Sequence, residues 1–307
     1  MSFPSAVNFP PLGSRVSIRY RDSDGEQTDV IGVLTARPPS VEVHATGGRA
    51  AIAVDDIIAV RELSFAPVRN SQIRALEHAA ALGWPGLEQH WHHGWLLRAG
   101  DGTTSRGNSA VPLDFSSSLD AVPAIADWYL QRDLVPWLAL PDRLLAVRAP
   151  GIKRTRVMVR DLSEIDAGRQ GPDALMSDTP DADWLGCYRR AVPVAELTAV
   201  VDGEVCFARI DGVAVGRGAL TIAPDGTRWL GISALTVSEA HRRRGHGRAI
   251  CAVLTSWGVS RGAQRSYVQV LTDNEAAITL YASLGYGLHH HAGYLDARQV
   301  LGVNLGT

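Results

Sequence analysis

The chain has 307 residues, 46% of them hydrophobic, enough for sizeable cores, so two or three domains are expected rather than one. Its formal net charge of -2 and pI near 6.5 exclude a global field favouring nucleic acid or an anionic membrane, and any basic function must be local. Cys187, Cys206 and Cys251 are far apart and without CxxC spacing, and no leader pattern or run of about 18 apolar residues is present. These features predict a soluble, cytoplasmic protein without disulfides, structural metal, or membrane or nucleic-acid partner.

The first sixty-odd residues alternate with strand period. Ser14 to Tyr20, Asp29 to Ala36, Ser40 to Ala45 and Arg49 to Val54 are separated by the turn signals DSDGE, RPPS and TGG, and DDIIAVREL follows. Short strands with tight turns predict a small, curled SH3-like β-barrel over residues 1–65. Such a barrel serves peptide or nucleic-acid binding, packing or dimerisation. It carries no basic run or aromatic stripe, which favours an inert packing role and leaves a homodimer open.

After FAPVRNS the period changes. IRALEHAAALGW reads as a helix and WLLRAG and NSAVPLDF as strands. LDAVPAIADWYLQRDL is an amphipathic helix with apolar positions at Val122, Ile125, Ala126 and Leu130. VPWLALP and RTRVMVRDL supply two more strands, so residues 66–162 form a mixed α/β segment. Trp91, Trp95, Trp128, Tyr129 and Trp137 are expected to build its core.

A polar stretch from Glu164 to Asp183 reads as a linker or surface loop. Beyond it EVCFARIDG, VAVGRGALTIAPDG and TRWLGISALTV form an antiparallel run. A glycine-rich turn, a helix (Ala249 to Val259), the strand SYVQVLT, a second helix (Glu275 to Ser283) and a strand near LHHHAGYL complete residues 163–307. The middle segment echoes this strand, helix, strand order, as a degenerate duplication would.

The turn HRRRGHGRAIC, His241 to Cys251, carries the chemistry. Arg242, Gly245 and Gly247 follow the pattern R-x-x-G-x-G directly between a strand ending at Val237 and an amphipathic helix. Glycines let successive amides face one point and the helix adds its positive end, an arrangement that holds a pyrophosphate. A Walker A loop would need a lysine, and a dinucleotide fingerprint three glycines after the first strand of a βαβ unit; neither is here. A nucleic-acid patch is disfavoured because the basic run is short and interrupted, and a turn with solvated arginines is the plainest competing reading. A second motif, NEAAITLYASLGY, places Asn274 as a helix cap and Gly285 as its terminator.

Together, LTVSEAHRRRGHGRAI and NEAAITLYASLGY resemble the two signature regions of the GNAT superfamily of acetyl-CoA-dependent N-acetyltransferases. The resemblance covers roughly Trp184 to Ala297. The layout, an SH3-like barrel ahead of a two-part acetyltransferase region, resembles a bacterial histone-acetyltransferase-like family. The implied fold is a mixed α+β architecture: SH3-like barrel, degenerate first half (66–162) and catalytic half (163–307).

The resemblance also implies roles. The backbone of Leu235, Thr236 and Val237 would hold the acetyl and pantetheine end of acetyl-CoA. Amides of Arg242, Arg243, Arg244, Gly245, His246, Gly247 and Arg248 would take the pyrophosphate. Asn274 would meet the pantetheine arm, Ala277 would leave it room, and Tyr281 would protonate the departing thiolate as general acid. An amine acceptor completes the reaction. The competing class is a non-catalytic coenzyme sensor or SH3-like adaptor.

One departure stands out. Relatives carry a glutamate base at positions corresponding to Ser233 or Ala234, and neither residue here can act as one. Glu239 and Asp273 are the nearest acids in sequence. His90 to His93 and His289 to His291 raise a metal reading, but His289 and His291 alone share a strand face and no third ligand is indicated, so no metal is expected.

Overall fold

The computed structural model describes residues 9–64, 67–147, 151–164 and 174–304. The chain divides after Pro67 into two compact units. The first eight residues, where a leader would begin, and residues 165–173 of the polar stretch lie outside the described ones.

The first unit is an antiparallel sheet of five strands, β1 (Arg15–Arg21), β2 (Gln27–Ala36), β3 (Ser40–Ala45), β4 (Gly48–Ala53) and β5 (Ile57–Leu63), in the order β4-β3-β2-β1-β5. Its strands alternate as the sequence does. Val16, Ile18, Leu34, Val41, Val43, Ile52 and Ile57 point to one core, while Arg19 and Asp29 pair outside. At the DSDGE turn the Asp22 carboxylate accepts the N–H groups of Asp24 and Glu26.

The second unit opens with α1 (Asn70–Gly83), the meander β6 (Glu88–His92), β7 (Trp95–Ala99) and β8 (Ala110–Pro112), then α2 (Val122–Leu130), β9 (Trp137–Pro141) and β10 (Ile152–Asp161). It continues through β11 (Leu175–Ser177), α3 (Ala182–Tyr188), α4 (Val194–Thr198), β12 (Glu204–Ile210), β13 (Ala214–Ile222) and β14 (Arg228–Val237). The last elements are α5 (His246–Ser260), β15 (Arg265–Leu271), α6 (Glu275–Ser283), β16 (Gly287–Asp296) and α7 (Ala297–Asn304).

All eleven strands form one sheet in the order β11-β12-β13-β14-β15-β10-β16-β9-β8-β7-β6. From each end an antiparallel meander leads to a parallel pair bridged by a helix, β14-α5-β15 on one side and β8-α2-β9 on the other. At the centre the last strands are exchanged. β10 lies against β15, β16 lies against β9, and β10 and β16 pair with each other. The stretches 66–162 and 163–307 therefore share one sheet, because the strand closing the first inserts into the second.

α5 buries Ile250, Val253, Leu254 and Trp257, the face expected from the sequence. It begins at His246 rather than Ala249, since its first turn is built from the glycine segment. In α2 the buried positions are Val122, Ile125, Ala126 and Tyr129, while Leu130 is exposed. Tyr129, seven residues from Val122, returns to the stripe and Leu130 passes beyond it. Of the aromatic residues expected in that core, Trp95 and Tyr129 are fully buried and Trp128 packs at the edge, whereas Trp91 is half exposed and stacks on His78.

The polar stretch is structured at its end. Edge strand β11 exposes all three of its residues and so shows no alternation, and the Asp181 carboxylate caps α3 by accepting the Trp184 N–H at 2.8 Å.

Candidate active site

The site is created where two strands part. β14 and β15 are paired in parallel only from Trp229 to Gly231 against Arg265 to Tyr267, although β14 runs on to Val237 and β15 to Leu271. β15 stays paired with β10 along its whole length, so β14 is the strand that leaves. Its departure coincides with a bulge. Val215 faces Thr236 and Arg217 faces Ser233, so Gly216 opposes both Ala234 and Leu235. Ala234 takes up the turn with φ +53°. The bulge turns the main chain of Leu235 to Val237 out of the ladder, and these residues are partly exposed.

The segment after β14 delivers the glycine turn. Arg242 reaches back to the Val237 carbonyl, Arg243 has φ +63° and Gly245, with φ +87°, is the N-cap of α5. The first intrahelical bond runs from the Ala249 N–H to the Gly245 carbonyl, so the amides of His246, Gly247 and Arg248 have no acceptor within the helix. No side chain caps them and no acidic residue occupies the first turn. Arg242, Arg243 and Arg244 are exposed around this end. Such a cradle fits a pyrophosphate.

Two residues of the turn direct their side-chain positions into the fold while their amides stay at the open end of α5. Arg248 turns to α6, donating to the Ser283 hydroxyl at 2.6 Å, and so ties the two helices together. A Cβ on Gly247 would point toward Leu280, at 3.2 Å, and toward Val237. This glycine permits close approach of α5, β14 and α6 and does not face the mouth of the cradle.

α6 supplies the other half. The Asn274 side chain caps it, accepting the Ala277 N–H at 3.1 Å, and Gly285 (φ +84°) follows its end. Ala277 is partly buried against the core that contains Ile250, Leu254 and Tyr281. Tyr281 is only 6% exposed and its ring meets that of Tyr286 edge-on at 5.7 Å. Burial pushes its phenol well above the ordinary tyrosine value, so it stays protonated at neutral pH.

Ser233, one of the two positions at which the resemblance implied a base, is engaged by the middle segment. The Ser233 hydroxyl accepts the indole N–H of Trp84 at 3.2 Å. Glu239 and Asp273 are exposed and lie in neither of the cavities beside the splay. The smaller cavity, about 230 Å³ with its open side included, is lined by Trp84, Arg106, Arg217, Ser233, Tyr267 and Gln269. A larger one of about 390 Å³ adjoins it, sharing Arg106 and Gln269 and adding Glu77, Arg98, Thr155 and Tyr294.

Sequence reasoning missed this wall. Arg217 interrupts the apolar run VAVGRGALTI, and Glu77 sits on the buried stripe of α1 between Ile73 and Ala81; a charge on a buried face was the available signal. The histidines also differ from expectation. His289 and His290, not alternate residues, touch at 2.7 Å across a register shift in β16, and His290 meets Glu77 at 2.9 Å. Among the described residues no group of three His, Cys, Asp or Glu side chains is arranged to hold a metal ion, and no helix is long and apolar enough to cross a membrane.

Two family models match the chain. One, described as "Probable histone acetyltransferase Rv0428c C-terminal", covers residues 70–295, and "Rv0428c N-terminal Sm-like domain" covers residues 10–61. A Mycobacterium tuberculosis protein named probable histone acetyltransferase Rv0428c is 46% identical, over 96% of this chain and 98% of its own. A Bacillus subtilis protein named uncharacterized N-acetyltransferase YobR is 40% identical, over 71% of this chain and 97% of its own. The solved structure of a GCN5-related N-acetyltransferase from Kribbella flavida shares the fold at 17% identity and TM-score 0.50, over 75% of this chain and 95% of that one.

Proposed function

From the premise that the chain belongs to the Rv0428c family, with its Sm-like first unit and acetyltransferase second unit, we propose that it transfers the acetyl group of acetyl-CoA to a primary amine. The observation that carries this reading is the conjunction, at one end of β14, of a bulged, departing strand and a helix terminus with open amides. Either feature alone is common. Together they suit a long substrate whose pyrophosphate needs amides and whose thioester needs main-chain donors.

In this reading the amides of the Arg242–Arg248 segment hold the pyrophosphate, with Arg243 and Arg244 adding charge from the rim. The main chain of Leu235, Thr236 and Val237 takes the pantetheine and acetyl end, where an N–H can stabilise negative charge on the thioester oxygen. The neutral amine attacks the carbonyl carbon, the carbon–sulfur bond breaks, Tyr281 donates its proton to the thiolate, and the nitrogen releases one proton to solvent, which returns one to the phenol. The Asn274 side chain supports the reaction by fixing the start of α6, which carries Ala277 and Tyr281. Positioning both substrates supplies much of the remaining rate.

The middle segment is read as the degenerate half of a duplication, with the mirrored strand order as its support. Its loop between β8 and α2, LDFSSSLDA, contains no glycine and carries Asp114 and Asp120, so it offers no phosphate cradle. Coenzyme binding is assigned to the second half alone.

Calorimetry with acetyl-CoA, followed by thiol release over an amine panel, tests the proposal. Absence of coenzyme binding would overturn it. Binding without turnover of any amine would favour a coenzyme sensor, a reading that the lack of an acid at Ser233 and Ala234 supports.

A further inference from the structure

The two cavities beside the splay have an unusual charge balance. Arg98, Arg106 and Arg217 line them, and among the described residues Glu77 is the only acidic one on their walls. Arg217 is fully buried. It donates to the carbonyls of Leu197 (2.6 Å), Gly83 (3.0 Å) and Ala199 (3.0 Å), and its plane lies over Trp84, 4.5 Å from the ring centre. Arg98, 4% exposed, donates to the Ser109 carbonyl and hydroxyl and to the Trp84 carbonyl. Backbone dipoles hold both guanidiniums in place, and neither of these sets of bonds includes a carboxylate.

Some of their donors remain unsatisfied. Arg217 Nη1 and Arg106 Nε are buried and have no hydrogen-bond partner among the described residues. A buried donor without an acceptor costs about 1–3 kcal/mol, more when charged, so such groups call for an explanation. The one wall carboxylate is engaged elsewhere, since Glu77 Oε1 meets His290 Nε2. Burial lowers the Arg217 pKa to about 10, with no carboxylate among the charges acting on it, and burial lowers that of Arg98 as well, against the opposing pull of Glu77.

We propose that these cavities are the acceptor site and that the acceptor is an amino carboxylate, its anionic group bound by Arg106 at the junction of the two cavities and its amine directed to the splay of β14 and β15. The inference rests on the transferase reading above and names its substrate class. An incoming carboxylate supplies the acceptor that the Arg106 donor lacks, and a guanidinium fork suits it geometrically. The same positive surroundings lower the pKa of the acceptor amine, so a larger fraction of it is neutral and able to attack. The absence of an acid at Ser233 or Ala234 is then coherent with the site, because less of the amine has to be deprotonated by the protein. A lysine-rich peptide, cationic on both sides of its reacting amine, is the wrong complement for this wall.

The test is calorimetric titration of the full-length protein, saturated with coenzyme A, with glycine, β-alanine, 4-aminobutanoate, 6-aminohexanoate and glutamate. Each is compared with the matching carboxamide, and a lysine-rich histone-tail peptide is added as a further arm. At least one acid should bind ten or more times tighter than its amide, and Arg106→Gln should abolish that preference with coenzyme affinity unchanged. Amides or peptide binding as tightly as the acids, or no acid binding to coenzyme-loaded protein, would overturn the proposal. So would a preference that survives in R106Q. The wild-type comparison of acid with amide stands by itself if that variant does not fold. Failure to bind coenzyme at all would instead sink the transferase reading; the acids are then titrated into the free protein, where the same preference is required.

Discussion

The indole of Trp84, at the end of α1, donates to the hydroxyl of Ser233 on β14 at 3.2 Å. A residue of the middle segment thus pairs with one of the two positions at which the resemblance implied a base, and both groups of the pair are neutral. Ser233→Ala should cost about 1 kcal/mol, the worth of one hydrogen bond, and leave turnover within about twofold. Denaturant melts and steady-state kinetics measure the two effects. A tenfold drop in kcat would show that Ser233 takes part in the chemistry.

Tyr281→Phe removes the proposed acid but keeps the ring against Tyr286. Acetyl-CoA affinity should be unchanged and kcat should fall roughly a hundredfold, within the range of general acid catalysis. Because burial raises the phenol pKa, the wild-type rate should show no alkaline decline from this group through pH 9. Unchanged turnover in the variant would remove Tyr281 from the mechanism.

Gly247→Asp brings a Cβ to 3.2 Å from Leu280, so that side chain must shift by a few tenths of an ångström, and adds negative charge to the first turn of α5. Acetyl-CoA binding should weaken more than tenfold. Gly247→Ala separates the two causes, since it keeps the steric demand without the charge; if the alanine variant binds as poorly as the aspartate, packing accounts for the loss.

Arg217→Leu leaves the carbonyls of Gly83, Leu197 and Ala199 without their donor. Hydrogen bonds to charged groups contribute about 1.5–3 kcal/mol each, and some of that loss is offset by water or by relaxation. A destabilisation of about 3 kcal/mol or more is expected by urea unfolding. A neutral result would mean that these carbonyls find other partners.

His289 is buried, and burial with the neighbouring His290, Arg265 and Arg143 depresses its pKa to about 3. The unfolded chain, with an ordinary pKa near 6.5, therefore binds the proton more readily than the fold does. The stability contributed by the neutral ring is complete above pH about 6.5 and is lost as pH falls toward 3. Melting temperatures of the wild type should drop across that window, and His289→Gln should flatten the slope. An unchanged slope would assign the acid sensitivity to other groups.

The sequence by itself determined most local structure and the location of the cradle. Alternation at period two marked β1 to β5, turn signals at DG and PDG bounded β12 to β14, helical spacing marked α1, α5 and α6, and the glycines of the turn located the open end of α5. These are signals written in neighbouring residues, so short-range physics suffices to read them. What needed the tertiary structure joins residues far apart in the chain. The exchange of β10 and β16, the parting of β14 from β15, the inward direction of Gly247, and the meeting of Trp84, Arg98, Arg106 and Arg217 depend on strand order and packing. A buried arginine in an apolar run announces a partner, but only the fold decides that its partners are the carbonyls of Gly83, Leu197 and Ala199 and that one of its donors is left over.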